Sequence, residues 1–200
     1  MQDQVGPSPS HATFRPERAH RLNDVRRLET QVAEADLARL LALKGNENLL
    51  DLGSGTGFYT DRMARLTTGV VYAVDFQPEM HAHHRTRGLP VNVQQLSADL
   101  TDLVDLTIIP RSVDVACTIT TWHEIGGRLD LPGLLRVLSP GGRLVVIDWR
   151  KHPESWDHGP PGDIRFTKEE VASSLQRYFA HVDAEDLGRF MFAVVARRIA

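Results

Sequence analysis

The chain has a single cysteine, Cys117, so no disulfide can form within it and no disulfide framework shapes the fold. Long apolar runs are missing as well. None approaches the roughly 20 residues that a bilayer-spanning helix needs. The polar, proline-containing start from Met1 to Ser10 has no apolar stretch of the kind a secretory signal requires. A charge excess is also absent: 23 Lys and Arg stand against 26 Asp and Glu, a formal net charge of −3. That balance gives no sign of a general nucleic-acid or membrane-surface binder. These absences lead to the expectation of a soluble, cytoplasmic protein with neither nucleic acid nor membrane as partner. There is no internal repeat and no interdomain linker. With 200 residues, 42% of them apolar, the chain can bury one sizeable core.

What is present is alternation. Residues 1–12 read as a tail. Residues 24–44 read as one helix, with Leu28, Val32, Leu37, Leu40 and Leu41 on an apolar face. Gly45 and Asn46 end it. Short apolar strands are expected at 48–52, 70–75, 91–95, 113–119 and 143–149, and helices at 58–66, 78–87, 131–138 and 167–178. The last helix opens with a capping box, Thr167 to Glu170. Strand–helix alternation argues for parallel pairing with helices on both faces. Two final runs, 181–184 and 190–196, lie too close together for a helical crossover, so they should form an antiparallel hairpin at one edge. The expected fold is α/β, a doubly wound and mostly parallel seven-stranded sheet of Rossmann-like type, closed by that hairpin. Residues 45–200 form the globular unit and 1–44 precede it.

The chemistry concentrates after the first strand. Leu49-Leu50-Asp51-Leu52-Gly53-Ser54-Gly55-Thr56-Gly57 runs from a strand through a glycine-rich turn towards a helix. Glycines permit the turn and let a ligand approach the backbone, and a helix starting near Phe58 would aim free N–H groups at that ligand. The second strand ends in Asp75, beside the loop in a doubly wound sheet, where a carboxylate can accept two hydrogen bonds from a ribose diol. Asp99, after the third strand, is placed either to accept from an adenine amino group, with the Leu100 backbone beside the ring, or to serve as an ordinary turn residue.

In these segments the chain resembles the class I S-adenosylmethionine (SAM)-dependent methyltransferases. The similarity lies in LLDLGSGTGFYT, VYAVDFQPEM, SADL, SVDVACTITTWHEI and LLRVLSPGGRLVVIDW. Within the class it is most similar to small ubiquinone/menaquinone-methyltransferase-like proteins. The resemblance implies SAM as cofactor. It places Gly53, Gly55 and Gly57 along the methionine and ribose, Asp51 near the methionyl ammonium and Asp75 on the ribose hydroxyls. It puts Phe76 and Met80 against adenine, Asp99 and Leu100 at its amino edge, and Thr118 to Thr121 at the reacting end. It also implies that residues before the first strand form a lid, to which Phe14 and the arginines 15, 18, 21, 26 and 27 belong. The alternative is a charged helix face.

A sulfonium is already a good leaving group, so alignment supplies much of the catalysis. A base is needed only where the acceptor must lose a proton. His123, just after the fourth strand, is the candidate catalytic base, and the competing reading is a ring that bonds its own loop. Glu124 reads as a helix-start residue. His81, His83 and His84 read as the solvated face of a helix and not as a metal site, and no metal is expected. No long insertion builds a substrate domain, which favours a small-molecule acceptor. Two other functions stand against this one. In an NAD-dependent oxidoreductase the third glycine of G-x-G-x-x-G would fall on Phe58. A non-catalytic module would hold SAM without turnover.

Overall fold

Alternate residues of a strand point to opposite faces of a sheet, and in the central strands both sets are largely apolar. Seven strands build one sheet, β1 (Leu49–Leu52), β2 (Val71–Val74), β3 (Val93–Leu96), β4 (Val113–Ile119), β5 (Leu138–Trp149), β6 (His181–Leu187) and β7 (Met191–Arg197). They are seen in a computed structural model that describes residues 16–104 and 106–199. The order is β3-β2-β1-β4-β5-β7-β6. The first five strands pair in parallel, and β7 runs antiparallel to both β5 and β6. This is the expected doubly wound sheet with its closing hairpin.

Among the described residues six α-helices flank the sheet: α1 (Arg27–Thr30), α2 (Glu34–Leu41), α3 (Thr60–Ala64), α4 (Pro78–Thr86), α5 (Leu131–Val137) and α6 (Lys168–Leu175). On one face Leu49, Val71, Val115, Cys117, Val145 and Ile147 pack with Leu37, Leu40 and Leu41 of α2 and with Met63 of α3. On the other face Leu50, Leu52, Ala116, Leu144 and Val146 pack with Leu134 and Val137 of α5 and with Val171 and Leu175 of α6. Burial on both faces is why the central strands read as unbroken apolar runs. The capping box of α6 forms: Glu170 N–H donates to Thr167 Oγ1 at 3.1 Å and Thr167 N–H to Glu170 Oε2 at 2.7 Å. No helix among the described residues is long and apolar enough to cross a membrane.

The single helix expected over 24–44 is broken. A 3-10 helix, Pro16–Asn23, precedes α1, and the chain leaves helical geometry at Gln31 (φ −123°, ψ −87°) before α2 starts after an extended Ala33. The cause lies in Arg27 and Val32, both buried. Five residues apart, they would lie about 140° apart around a continuous helix, and the break lets both turn inward. The Ser-Pro-Gly-Gly stretch, 139–142, is an irregularity inside β5: the pairing steps from Val113↔Leu138 to Val115↔Arg143.

Beyond β5 the chain from Arg150 to Phe166 is organised around one buried side chain. Arg165 donates to the carbonyls of Arg150, Ser155 and Pro160 at 2.7–3.0 Å and also to the His158 carbonyl. Its guanidinium lies 5.5 Å from the Trp149 ring centroid. Arg165→Leu leaves several buried carbonyls without a donor. It should cost about 3 kcal/mol of stability, read as a lower urea midpoint at unchanged slope. A loss under about 1 kcal/mol would mean that this segment does not depend on the arginine.

Candidate active site

The chain passes from β1 to β2 on one side and returns to β4 on the other side of β1. The loops after β1 and β4 therefore diverge and leave a crevice at the carboxyl ends of the strands. A cavity of about 270 Å³ lies there. Asp51, Gly53, Ser54, Gly55, Asp75, Phe76, Met80, Asp99 and Leu100 all line it, so most of the residues expected at a cofactor come together.

Three glycines of the loop have positive φ, +79° at Gly53, +52° at Gly55 and +80° at Gly57, but they serve different neighbours. A Cβ on Gly53 would overlap the Thr121 side chain, so this glycine lets the loop after β4 close against the one after β1. A Cβ on Gly57 would overlap the His84 ring. Only at Gly55 is the space nearly open, the nearest atom being in Leu22 at 3.3 Å. Gly57 therefore does not line the cavity, contrary to expectation. Thr118 does not line it either. It lies in β4 next to Ala116 and Val146, its hydroxyl buried with no partner among the described residues, and the cavity is met instead by Ile119, Thr120 and Thr121.

Asp51 is buried, and its Oδ2 accepts the Thr60 hydroxyl. Burial pushes its pKa up to about 6, against the opposing pull of Thr60 and the more distant His84 and Arg27. The helix expected from Phe58 begins only at Thr60, the residue that holds Asp51. Asp75 Oδ2 accepts Gly55 N–H at 2.8 Å and Oδ1 accepts Gln77 N–H at 2.9 Å. Burial raises its pKa and these N–H groups oppose the rise. Phe76 is half-exposed and Met80 buried. Asp99 holds the N–H and hydroxyl of Thr101, each at 2.8 Å.

The histidines of α4 overturn the expectation of a solvated face, because His81 and His84 are buried. His84 Nε2 lies 2.6 Å from Asp61 Oδ1. Arg87 pairs with the same carboxylate, donates to Thr56 O at 2.7 Å and bonds Asn23. Thr56 Oγ1 reaches Asn23 at 2.8 Å. Asn23 and Thr56 thus tie the 3-10 helix to the glycine loop, and α4 to both. Among the described residues no group of three or more His, Cys, Asp and Glu side chains is arranged to hold a metal ion.

A second cavity of about 670 Å³ adjoins the first, and Leu22, Arg27, Thr120 and Glu124 line both. Glu124 sits in a run of turns and not at a helix start. His123 faces this second cavity, and its ring bonds a carboxylate at the end of β5 and not its own loop. Its Nδ1 lies 2.7 Å from Asp148 Oδ1, and its N–H donates to Asp148 Oδ2 at 2.9 Å. Burial disfavours the imidazolium, but the carboxylates of Asp148 and Glu124 outweigh it and raise the pKa above the ordinary 6.5. Sequence reasoning missed Asp148. A carboxylate near the end of a strand beside β4 was the available signal. Arg27 was missed as a buried residue too. Its guanidinium bonds Gln31 and Leu22 O, reaches Thr120 Oγ1 at 3.5 Å, and stacks on Phe58 and Tyr59. Phe14 and Arg15 lie outside the described residues.

Comparison with known proteins agrees with this geometry. A family model described as a methyltransferase domain matches residues 49–142. An uncharacterized methyltransferase of Mycobacterium tuberculosis is 33% identical over 141 residues, covering 65% of this chain and 55% of that protein. Demethylmenaquinone methyltransferase of Tropheryma whipplei is 33% identical over 119 residues, covering 58% and 46%. The chain spans about half the length of these curated relatives. A solved structure of a SAM-dependent methyltransferase from Aquifex aeolicus superposes with a TM-score of 0.79 at 28% identity, covering 94% of this chain and 100% of that one. The fold, the glycine loop and these matches make the chain similar to the class I SAM-dependent methyltransferases, and menaquinone and ubiquinone methyltransferases are among its relatives.

The His123–Asp148 pair makes a prediction independent of any substrate. The raised pKa means that the stability the pair contributes is fully present below pH 6.5 and is lost as pH rises through the folded value. By NMR, His123 should titrate above 6.5 in the native protein and at a lower pH in Asp148→Asn, where Glu124 alone is left to oppose burial. An unchanged titration in the variant would remove Asp148 as the cause.

Proposed function

We propose that this chain transfers a methyl group from SAM to a small-molecule acceptor, with the donor in the smaller cavity and the acceptor in the larger. The junction of the two cavities carries the reading. Leu22, Arg27, Thr120 and Glu124 face both, and the His123–Asp148 pair stands on the larger side. The smaller cavity suits the donor. Gly55 admits close approach, and the buried Ser54 hydroxyl has no partner among the described residues. Asp51 suits an ammonium and Asp75 a ribose diol, while Phe76, Met80 and Leu100 offer apolar surface to adenine and Asp99 an acceptor for its amino group. When bound, SAM supplies a methyl group on a sulfonium leaving group.

The chain itself supplies alignment, exclusion of water and a base. Alignment comes from the fixed loops after β1 and β4. The 3-10 helix Pro16–Asn23 acts as a lid through Leu22, which reaches both cavities. Asp148 holds Nδ1 of His123 and leaves Nε2 to take a proton from the acceptor. The larger cavity is within the range usual for small-molecule sites, about 300–1,000 Å³, which favours a small acceptor over a polymer.

Two substitutions separate the roles. Asp75→Ala should weaken SAM binding by about 2–3 kcal/mol. His123→Ala should leave SAM affinity nearly unchanged and lower kcat by about 10²-fold. In the wild type, kcat should fall as pH drops through the raised His123 pKa, because only the neutral ring accepts a proton, and His123→Ala should lose that limb. SAM affinity that is unchanged in Asp75→Ala, or weakened in His123→Ala with kcat intact, contradicts the assignment.

A further inference from the structure

The larger cavity has an unusual charge for this chain. Its lining holds four arginines, Arg18, Arg21, Arg26 and Arg27, against two carboxylates, Asp24 and Glu124, whereas the chain as a whole carries a net charge of −3. Asp24 is already engaged, because Arg26 holds its carboxylate at 2.6–3.1 Å through Nε and Nη2. Arg27 is buried at the junction, its guanidinium committed to Gln31, Leu22 O and the rings of Phe58 and Tyr59. Arg18 and Arg21 remain. Neither forms an ion pair with any carboxylate among the described residues, and both belong to the 3-10 helix that closes one side of the cavity. Guanidinium groups gathered along a concave wall repel one another, and an anion placed among them relieves that repulsion. The segment 149–164 lends the cavity an apolar surface, Trp149, Pro160, Pro161 and Ile164, with His158 beside it. It is rigid, because Gly159, at φ +80°, packs on the Trp149 indole and Arg165 ties the segment from behind.

We infer that the acceptor of this enzyme is a small acid, its anionic group held by Arg18 and Arg21 and its apolar body laid against Trp149 and the prolines, with the atom to be methylated directed at His123. The inference rests on the methyltransferase reading and adds the acceptor's chemical class. Guanidinium suits the anion because its planar fork matches the oxygens of a carboxylate or a phosphate in pairs. Charge on the lid also couples acceptor binding to closure, since the arginines that hold the anion lie in the same segment as Leu22, which reaches the donor cavity.

Calorimetry on the whole chain, saturated with S-adenosylhomocysteine, tests this with three probes: 4-hydroxybenzoate, its uncharged analogue 4-hydroxybenzamide, and phenyl phosphate. The expected result is that at least one anion binds about tenfold or more tightly than the amide, as charge-assisted pairing requires. The tighter of the two anions then identifies a carboxyl or a phosphoryl group as the one the site prefers. In Arg18→Gln/Arg21→Gln, two exposed positions, the preference for the anion should vanish while S-adenosylhomocysteine binds as in the wild type. Equal binding of anions and amide, no binding of either anion, or a preference that survives in the double variant overturns the acid assignment alone. Failure of the wild-type chain to bind S-adenosylhomocysteine overturns the methyltransferase reading, and the acid assignment with it.

Discussion

The crevice at the carboxyl ends of β1 and β4 is the constraint on which the rest of the molecule depends. From β1 the chain builds outward through β2 and β3, and from β4 through β5, β7 and β6. The connections leaving these two central strands must part, and a gap opens between them. The residues proposed to act at the site lie on that rim: the glycine loop after β1, Asp75 after β2, Thr120 to Ile125 after β4, and Asp148 near the end of β5. The central strands β1, β4 and β5 are buried on both faces, so they fix the positions of the loops that leave them. Gly53 sets how closely the two sides approach, because any side chain there would push Thr121 away.

Three carboxylates along the rim are buried, and their compensation differs. Asp148 accepts the N–H groups of His123 and Trp149 as well as facing the His123 ring. Asp75 accepts two N–H groups, from Gly55 and Gln77. Asp51 has the single hydroxyl of Thr60, and burial pushes its pKa up to about 6. A buried carboxylate with so little support is stabilised by a nearby cation. On electrostatic grounds this end of the cavity would favour a cationic group of a ligand, as the proposed function requires. Across the junction the larger cavity has the opposite character, its lid bearing arginines.

What could be read in the sequence was what depends on neighbours in the chain. Apolar runs such as Leu49 to Leu52 and Arg143 to Trp149 marked the central strands, because full burial leaves no polar alternation. The short spacing of the last two runs excluded a crossover and so marked the antiparallel edge. Thr167 and Glu170 marked a helix start by a three-residue contact. The glycine loop and Asp75 were legible for the same reason, since a strand, a turn and a strand end place them side by side. Contacts made across the fold were not legible. His84 looked solvent-facing until Gly57, lacking a side chain, left room for its ring. Arg27 belonged to a charged helix until the helix broke to bring it inward. Arg165 gave no local sign that it would organise a loop of seventeen residues, 150–166. The partner of His123 is fixed by the pairing of Ile119 with Ile147, which brings Asp148 beside the chain leaving β4. No spacing within either strand announces that register.

The central claim is that the cavity between Asp51 and Asp75 is built for SAM and not for another nucleotide-bearing cofactor. The most direct test is calorimetric titration of the purified chain, in parallel, with SAM and with NAD. The account predicts saturable binding of one SAM per chain, unaffected by NAD, and no heat of binding from NAD. Binding of NAD with no binding of SAM would contradict it.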